Sequence, residues 1–240
     1  MTTPAPPDPG MPDMPRDAER TRGRYVRLRD GKPTGMEERF VLGEIAPGVV
    51  RVRSTLITPS PVGRLETDVR LSAGAVHLTV RWVGSSEKAV READGEYHWS
   101  DGVVLGSWRI DGESGPGGTA QGILDPSSLI LQGRFVASGR AGLDLVMPNE
   151  ADPSDRHSFL SMLCVTATST LVGEREVEVD GVARKGNVYR WEVREVGPEV
   201  VVDRGGLLLR QLIEVPDGPV HEAVLMDVTG PWPRPVDWPV

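Results

Sequence analysis

The chain has 240 residues, of which 38% are hydrophobic and 26% are charged, an ordinary composition for a soluble globular protein. Its formal net charge of −8 argues against nucleic-acid binding, because that function needs a basic surface to replace the counterions around phosphates. The 28 glycines and 21 prolines predict many turns and few helices.

The N-terminal segment, residues 1–22, is rich in Pro and Asp and nearly free of aliphatic side chains. It cannot bury enough surface to offset the entropy of ordering, so it is predicted to be a disordered arm. It has no apolar core of the kind that a signal peptide needs, and no later stretch is long enough to cross a membrane. These features predict a cytoplasmic protein.

Strand patterns then follow one another about every ten residues. The clearest covers residues 76–82, where Val, Leu, Val and Trp alternate with His, Thr and Arg. The Asp30-Gly31 pair predicts a hairpin turn between the first two strands, and a short helical turn is predicted at 87–92. Predicted strands in this half are 25–29, 36–42, 49–57, 64–71, 76–82 and 103–110.

The second half is more varied. Residues 129–136 are predicted as a strand with Leu129, Leu131, Gly133 and Phe135 inward, whereas 159–165 fits either a short helix or a buried strand. The remaining predicted strands are 123–124, 174–179, 187–195, 200–202, 207–215 and 221–226.

These elements predict a mainly β fold, namely a large curved antiparallel sheet or half-barrel with one or two short helices. The predicted organisation is a disordered Pro-rich arm at 1–22, a single β domain at 23–228, and a Pro/Trp-rich tail at 229–240. Trp232 and Trp238 are candidates for pinning that tail to the body.

The lone cysteine, Cys164, has no partner for an internal disulfide. It lies in an apolar run with no base or cationic group beside it, so it is interpreted as a small buried apolar residue rather than a nucleophile.

Motifs for common enzymes are absent: there is no Gly-x-Ser-x-Gly elbow, no phosphate-binding Gly-x-x-x-x-Gly-Lys loop and no His-Glu-x-x-His helix. The four histidines are too scattered in the sequence to show metal spacing, so no metal and no cofactor are expected. Asp155 and His157 could orient one another for acid–base chemistry, which leaves a hydrolase-type enzyme as an outlying hypothesis. Capping of the following segment by Asp and Ser is the competing interpretation.

Arginines recur on the strand faces, where they could form an anion-binding surface. Acidic neighbours such as Glu66 and Asp68 favour a charge-paired, solvated sheet face instead. The arginines concerned are Arg51, Arg53, Arg70, Arg81 and Arg134.

Several short motifs resemble a known family. These are Gly23-Arg24-Tyr25, Asp30-Gly31, and the segments 174–181, 189–191 and 200–208, in which an Asp-Gly turn joins two strands. Their order is similar to that of the bacterial half-barrel proteins related to the lipoprotein carriers, a superfamily that includes glycolipid-binding members. The resemblance implies an unclosed, strongly curved sheet around an apolar cavity, and hence a hydrophobic ligand.

A sheet too large to fill its own concave side must close, be covered, or leave a cavity for an apolar molecule. Candidate ligand-binding residues on that side are Trp82, Phe135, Trp191 and Leu209; the alternative is that they simply fill the core. Two functions follow. The first is a non-enzymatic protein that binds a lipid-like or other apolar small molecule, and the second is an interaction module with a solid core, with a homodimer among its candidate assemblies.

Overall fold

The computed structural model describes residues 20–85, 90–150, 152–193 and 197–230. In these ranges the chain forms sixteen strands of one sheet and a single short helix. The elements are β1 (Arg20–Arg29), β2 (Lys32–Ala46), β3 (Val49–Pro59), β4 (Val62–Ser72), β5 (Ala75–Gly84), β6 (Glu92–Ser100), β7 (Val103–Ile110), β8 (Glu113–Ser114), β9 (Gly118–Gln121), β10 (Ile123–Leu124), α1 (Leu129–Ala137), β11 (Leu143–Pro148), β12 (Met162–Val179), β13 (Val182–Val193), β14 (Glu199–Val202), β15 (Leu208–Glu214) and β16 (Val220–Thr229). The prediction of a mainly β fold built on a large curved antiparallel sheet is confirmed.

The sheet is assembled from two antiparallel runs that meet at β1, which pairs with β2 on one side and with β16 on the other. One run continues from β2 to β8, and the other goes back from β16 to β10. The sheet does not close into a barrel, but its two edges are linked by one segment: β9 pairs with β7, and β10 follows directly and pairs in parallel with β11.

Alternating side chains explain how the strands form. In β5, Val76, Leu78, Val80 and Trp82 are each at most 2% exposed, because every second residue faces the core, while the intervening side chains point outward. The predicted Asp-Gly turns are present, since Asp30-Gly31 and Asp180-Gly181 connect neighbouring strands. All four turn residues have positive φ, as tight two-residue hairpin turns require.

The prediction of a strand over residues 129–136 is wrong, because this segment forms helix α1. Apolar side chains occupy consecutive positions as well as alternate ones, and Ile130 and Val136 are buried together with Leu131 and Phe135. A helix apolar on most sides fits in a protein interior. Helix α1 packs against β13, β14 and β15, and at Gly133 the backbones approach so closely that an added Cβ would lie 2.5 Å from the carbonyl oxygen of Gly206.

The N-terminus of α1 is capped from the sheet rather than by its own first residues. The Ser128 hydroxyl donates a 2.8 Å hydrogen bond to the carboxylate of Glu38 on β2, which also accepts the backbone N–H of Leu129. A carboxylate there satisfies otherwise unpaired N–H groups and interacts favourably with the helix dipole. Glu38 therefore fixes α1 to the sheet.

Three other predictions concern residues 159–165, Cys164 and the start of the β domain. Residues 159–160 lie in a turn, and the strand alternative holds from Met162, where β12 begins. The burial predicted for Cys164 is wrong: its neighbour Val165 points into the core, so the alternation of β12 turns the thiol outward and exposes it. The first strand begins at Arg20, three residues before the predicted domain start, and the division into arm, domain and tail stays a prediction.

Residues 1–19, the first half (87–89) of the predicted helical turn at 87–92, and Trp232 and Trp238 lie outside the described residues. Within the described part of the chain, no helix has the length and hydrophobicity that crossing a bilayer requires.

Candidate functional site

A polar trough of about 1020 Å³ lies on the outer face of the sheet, opposite the packed core. Its floor is one cross-strand row of five residues contributed in turn by β3, β4, β5, β6 and β7. The side chains of three of these residues, Ser54, Thr67 and Val80, point into the protein, so their backbone atoms form the floor of the trough. The complete floor row is Ser54, Thr67, Val80, Gly95 and Trp108.

Two flanking rows, one residue to either side of the floor on each strand, form the walls of the trough. Their side chains point outward and are charged or hydroxyl-bearing. The rows are Arg53, Asp68, Thr79, Glu96 and Ser107 on one side, and Thr55, Glu66, Arg81, Asp94 and Arg109 on the other. Five strands at about 4.8 Å spacing make the trough about 19 Å long.

Most charges in and beside the trough are paired. Arg51 donates a 2.9 Å hydrogen bond from Nε to Asp68, and Arg53 lies 3.7 Å from the same carboxylate. These three side chains are only 14–22% exposed, so the trough is most enclosed near β3 and β4. Arg81 bonds to Glu92 at 2.9 Å. For these arginines the predicted charge-paired face is confirmed.

Arg70 on β4, also predicted for that face, is exposed, and no ion pair within the described chain includes it. Two other arginines also depart from that pattern. Arg134 is not on a strand face but on helix α1, where burial lowers its pKa to about 10 although the charge of Asp203 opposes the change. Arg109, at the β7 end of the trough, is exposed, and no acidic group of the described chain lies within ion-pair distance of it. That guanidinium is available to an acidic group from outside the chain.

Three titratable side chains, one of them the trough-wall residue Glu96, converge on the outer face of β5 and β6. His77 and His98 are direct cross-strand partners, with their rings stacked at 4.3 Å between centroids and 7° between planes. Their Nε2 atoms lie 3.0 and 3.2 Å from the same Glu96 oxygen. These hydrogen bonds lower the pKa of Glu96, and the bond from His77 has the largest effect. The scatter of the histidines in the sequence thus concealed a pair that is adjacent in space.

The predicted ligand-binding residues all lie in the core. Phe135 on α1, Trp191 on β13 and Leu209 on β15 belong to elements that pack together and are at most 1% exposed. Trp82, on β5, is 2% exposed, donates its indole N–H to the Val90 carbonyl at 2.8 Å, and meets Phe159 edge-on. In this structure they contact neighbouring side chains and backbone, and their role in ligand binding stays a prediction.

The core also holds carboxylates. Asp125 is 2% exposed, and burial raises its pKa to about 6 although the Ser127 N–H donates to its Oδ1 at 2.9 Å. Burial likewise raises the pKa of Glu38 against the opposing influence of Arg27. Burial, and to a smaller extent the charges of Glu38 and Asp125, raises the pKa of Glu150 well above its usual range. The interior therefore disfavours negative charge.

The loop proposed for acid–base chemistry has a different geometry. Asp155 accepts hydrogen bonds from the backbone N–H groups of His157 and Ser158, at 3.1 and 3.3 Å, and from the Ser158 hydroxyl. These bonds stabilise a turn, and no hydrogen bond or ion pair of the described chain joins the His157 ring to the Asp155 carboxylate. The arrangement matches the capping interpretation, here of a turn rather than a helix.

The outward residues of β3–β7 could be read from alternation, but not which of them meet across the strands. That depends on the register of the strand pairs, which the sequence between β5 and β6 does not reveal because it shows no clear pattern.

No protein-family model and no curated protein matches the chain. Among solved structures, it is similar to a beta-barrel-like protein of the domain of unknown function DUF1849 from Brucella abortus, with a TM-score of 0.51 and 11% identity over 90% of this chain and 98% of that one. A weaker similarity, with a TM-score of 0.33 and 17% identity over 90% of this chain, is to MucB in complex with MucA(peri), of whose chain about half (51%) is covered. The first of these similarities supports a beta-barrel-like fold, and membership of the lipoprotein-carrier-like superfamily stays a prediction.

Proposed function

We propose that this protein is a non-enzymatic interaction module with a solid β core, and that the trough on the outer face of β3–β7 binds an extended segment of a partner polypeptide. The observation that carries the proposal is the position of the trough: about 1020 Å³ of space lies over charged and hydroxyl side chains. The apolar side of the sheet, in contrast, is filled by α1 and the turn around Phe159.

The dimensions and charges of the trough define the partner. A length of about 19 Å accommodates five or six extended residues. Carboxylates and arginines alternate along the wall from Glu66 to Arg109, and the other wall also carries both signs of charge. A segment with both signs of charge therefore finds complementary groups, while one of a single sign meets repulsion. The unpaired Arg109 favours an acidic residue at the β7 end.

The test is a selection of short peptides against the full chain, followed by fluorescence anisotropy with matched variants. Thr79→Trp places an indole in the trough, and Arg109→Ala removes its unpaired cation. Thr170→Trp, at an exposed position of β12 away from the trough, is the control. We expect selected peptides to bind the wild type and the control equally, and to bind Thr79→Trp at least about tenfold more weakly, since 1.4 kcal/mol corresponds to a factor of ten. Peptides that bind all the variants alike, or a selection that enriches none, would refute the proposal.

Binding of a lipid-like molecule is the second candidate. Two features support this candidate: the concave side of the sheet is apolar, and the helix that covers it has only nine residues. An acyl chain would have to displace α1, because Phe135, Trp191 and Leu209 have almost no accessible surface. Native mass spectrometry after organic extraction, with a panel of fatty acids and glycolipids, separates the two functions. A stoichiometric apolar molecule supports this candidate, and a chain that binds none of the panel excludes it.

A homodimer is a further form of the interaction proposal, with a second copy of the chain as the partner. Sedimentation over a range of protein concentrations tests it directly: a mass that rises to twice that of the chain supports the dimer, and a constant monomer mass rejects it.

A further inference from the structure

The three side chains His77, Glu96 and His98 form a compact donor set on the outer face of the sheet. Glu96 and His98 are two residues apart on β6, so both point to the same side, and His77 lies directly opposite His98 on β5. Their nitrogen and oxygen atoms all lie within 4.8 Å of one another. Two rigid neighbouring strands therefore bring two imidazoles and one carboxylate together, and the two rings must turn out of their near-parallel stacking for both to coordinate one ion.

We propose that His77, Glu96 and His98 bind a divalent transition-metal ion, with Zn²⁺ as the expected occupant. Two histidines and one glutamate are a recurrent donor set for zinc, with the fourth position left to water. At zinc–ligand distances of about 2.0–2.2 Å, tetrahedral ligand atoms lie about 3.3 Å apart. The observed separations between the imidazole Nε2 atoms and Glu96, 3.0 and 3.2 Å, are close to that value.

The protonation chemistry is compatible with binding. With Glu96 ionised, each Nε2 that faces its carboxylate donates an N–H in the metal-free protein. Coordination through Nε2 requires the other neutral tautomer, with the proton on Nδ1, so binding moves each proton within its ring without charging the imidazole.

Access and charge also favour a cation. The side chains of His77, His98 and Glu96 are 31%, 55% and 54% exposed, so an ion reaches them directly from solvent. The protein is acidic overall, at −8, which attracts cations. Arg70, the β4 neighbour of His77, opposes binding through its positive charge, so the site is expected to be weaker than an enclosed structural zinc site.

The test is isothermal titration of zinc chloride into the full chain, without an affinity tag, in a non-chelating buffer. We expect one Zn²⁺ per chain, with affinity lowered about 10- to 100-fold or more in His77→Gln, Glu96→Gln and His98→Gln. His157→Gln, which removes an exposed histidine elsewhere, is the control and should bind as the wild type does. Absence of saturable binding by the wild type, or binding retained when His77 and His98 are both replaced, would overturn the proposal.

A folding readout keeps these results interpretable. All three side chains point out of the sheet, so the metal-free variants should unfold at the wild-type temperature in the presence of a chelator. Added Zn²⁺ should then raise the unfolding temperature of the wild type and of His157→Gln, but not that of the three variants with a replaced zinc ligand. The zinc site and the peptide trough are measured by separate assays, so either proposal can fail without the other.

Discussion

Replacing Asp125 by Asn should change how the stability of the protein depends on pH. Asp125 follows β10 and is 2% exposed, and its Oδ1 accepts the Ser127 N–H at 2.9 Å. Asparagine keeps that acceptor and removes the ionisable group. Because burial raises the pKa of Asp125 from 3.8 to about 6, the folded protein binds the proton more tightly than the unfolded chain does.

The sign and size of the effect follow from linkage. Below the unfolded pKa of 3.8 both states are protonated, and the stabilising effect of proton binding is fully present. As the pH rises towards the folded pKa of about 6, that stability is lost, and above it the charged carboxylate is buried at full penalty. The difference between the two pKa values corresponds to about 3 kcal/mol.

The assay is urea unfolding of the wild type and Asp125→Asn over a pH series from about 4 to about 8. We expect the free energy of unfolding of the variant to gain about 2 kcal/mol relative to the wild type across that range, less than the full difference because the unfolded carboxyl is already partly ionised at the lower end. The new amide N–H₂ adds an offset that does not vary with pH, so the change with pH is the diagnostic quantity. Asp101→Asn, at an exposed turn with φ of 50° that asparagine tolerates, is the matched control. A difference between Asp125→Asn and the wild type that stays constant with pH would refute the reasoning.

Three further predictions concern packing and exposure. Gly133→Ala should destabilise the protein by roughly 1–3 kcal/mol in urea unfolding, because its Cβ would lie 2.5 Å from the Gly206 carbonyl oxygen; a gain in stability, as helix propensity alone predicts, would contradict this. Tyr25→Phe should lower the free energy of unfolding by about 1 kcal/mol, because it removes the buried 2.8 Å hydrogen bond to the Leu208 carbonyl; an unchanged value would show that the bond contributes nothing. Cys164 should react with a thiol reagent in the native protein, with Cys164→Ser as the blank, and reaction only after denaturation would show that the thiol is buried.

The strands were predictable where one face is buried and the other solvated. The alternation from Val76 to Trp82 gives β5 directly, because each inward side chain is apolar and each outward one is polar. The same logic failed at residues 129–136, which are enclosed by the sheet on most sides. A helix and a strand are distinguished by the spacing of their polar residues, and a segment buried on most sides has few of them. Ile130 and Val136 therefore did not indicate a helix in the sequence.

The candidate sites were less accessible to sequence reasoning than the fold. That Thr79 and Glu96 face outward follows from alternation, but that they are opposite one another depends on the register between β5 and β6. The same register brings His77 beside His98 across a connection of irregular sequence. Cys164 was misplaced for a related reason: its apolar neighbours suggested a buried run, whereas only every second residue of β12 faces inward.

The pairing of β1 with β16 has a consequence for how the protein is made. Arg22 lies opposite Thr229, so β1 is synthesised long before β16 and waits for that strand before its second edge is covered. Until then, β1 and the strands already paired to it present an open hydrogen-bonding edge, which is a template for association with other chains. Contacts between such distant parts of the sequence also slow folding. The nascent chain therefore passes through a stage in which half of the sheet is formed and its central seam is unprotected, and the period of greatest exposure to misassembly ends only when β16 is synthesised.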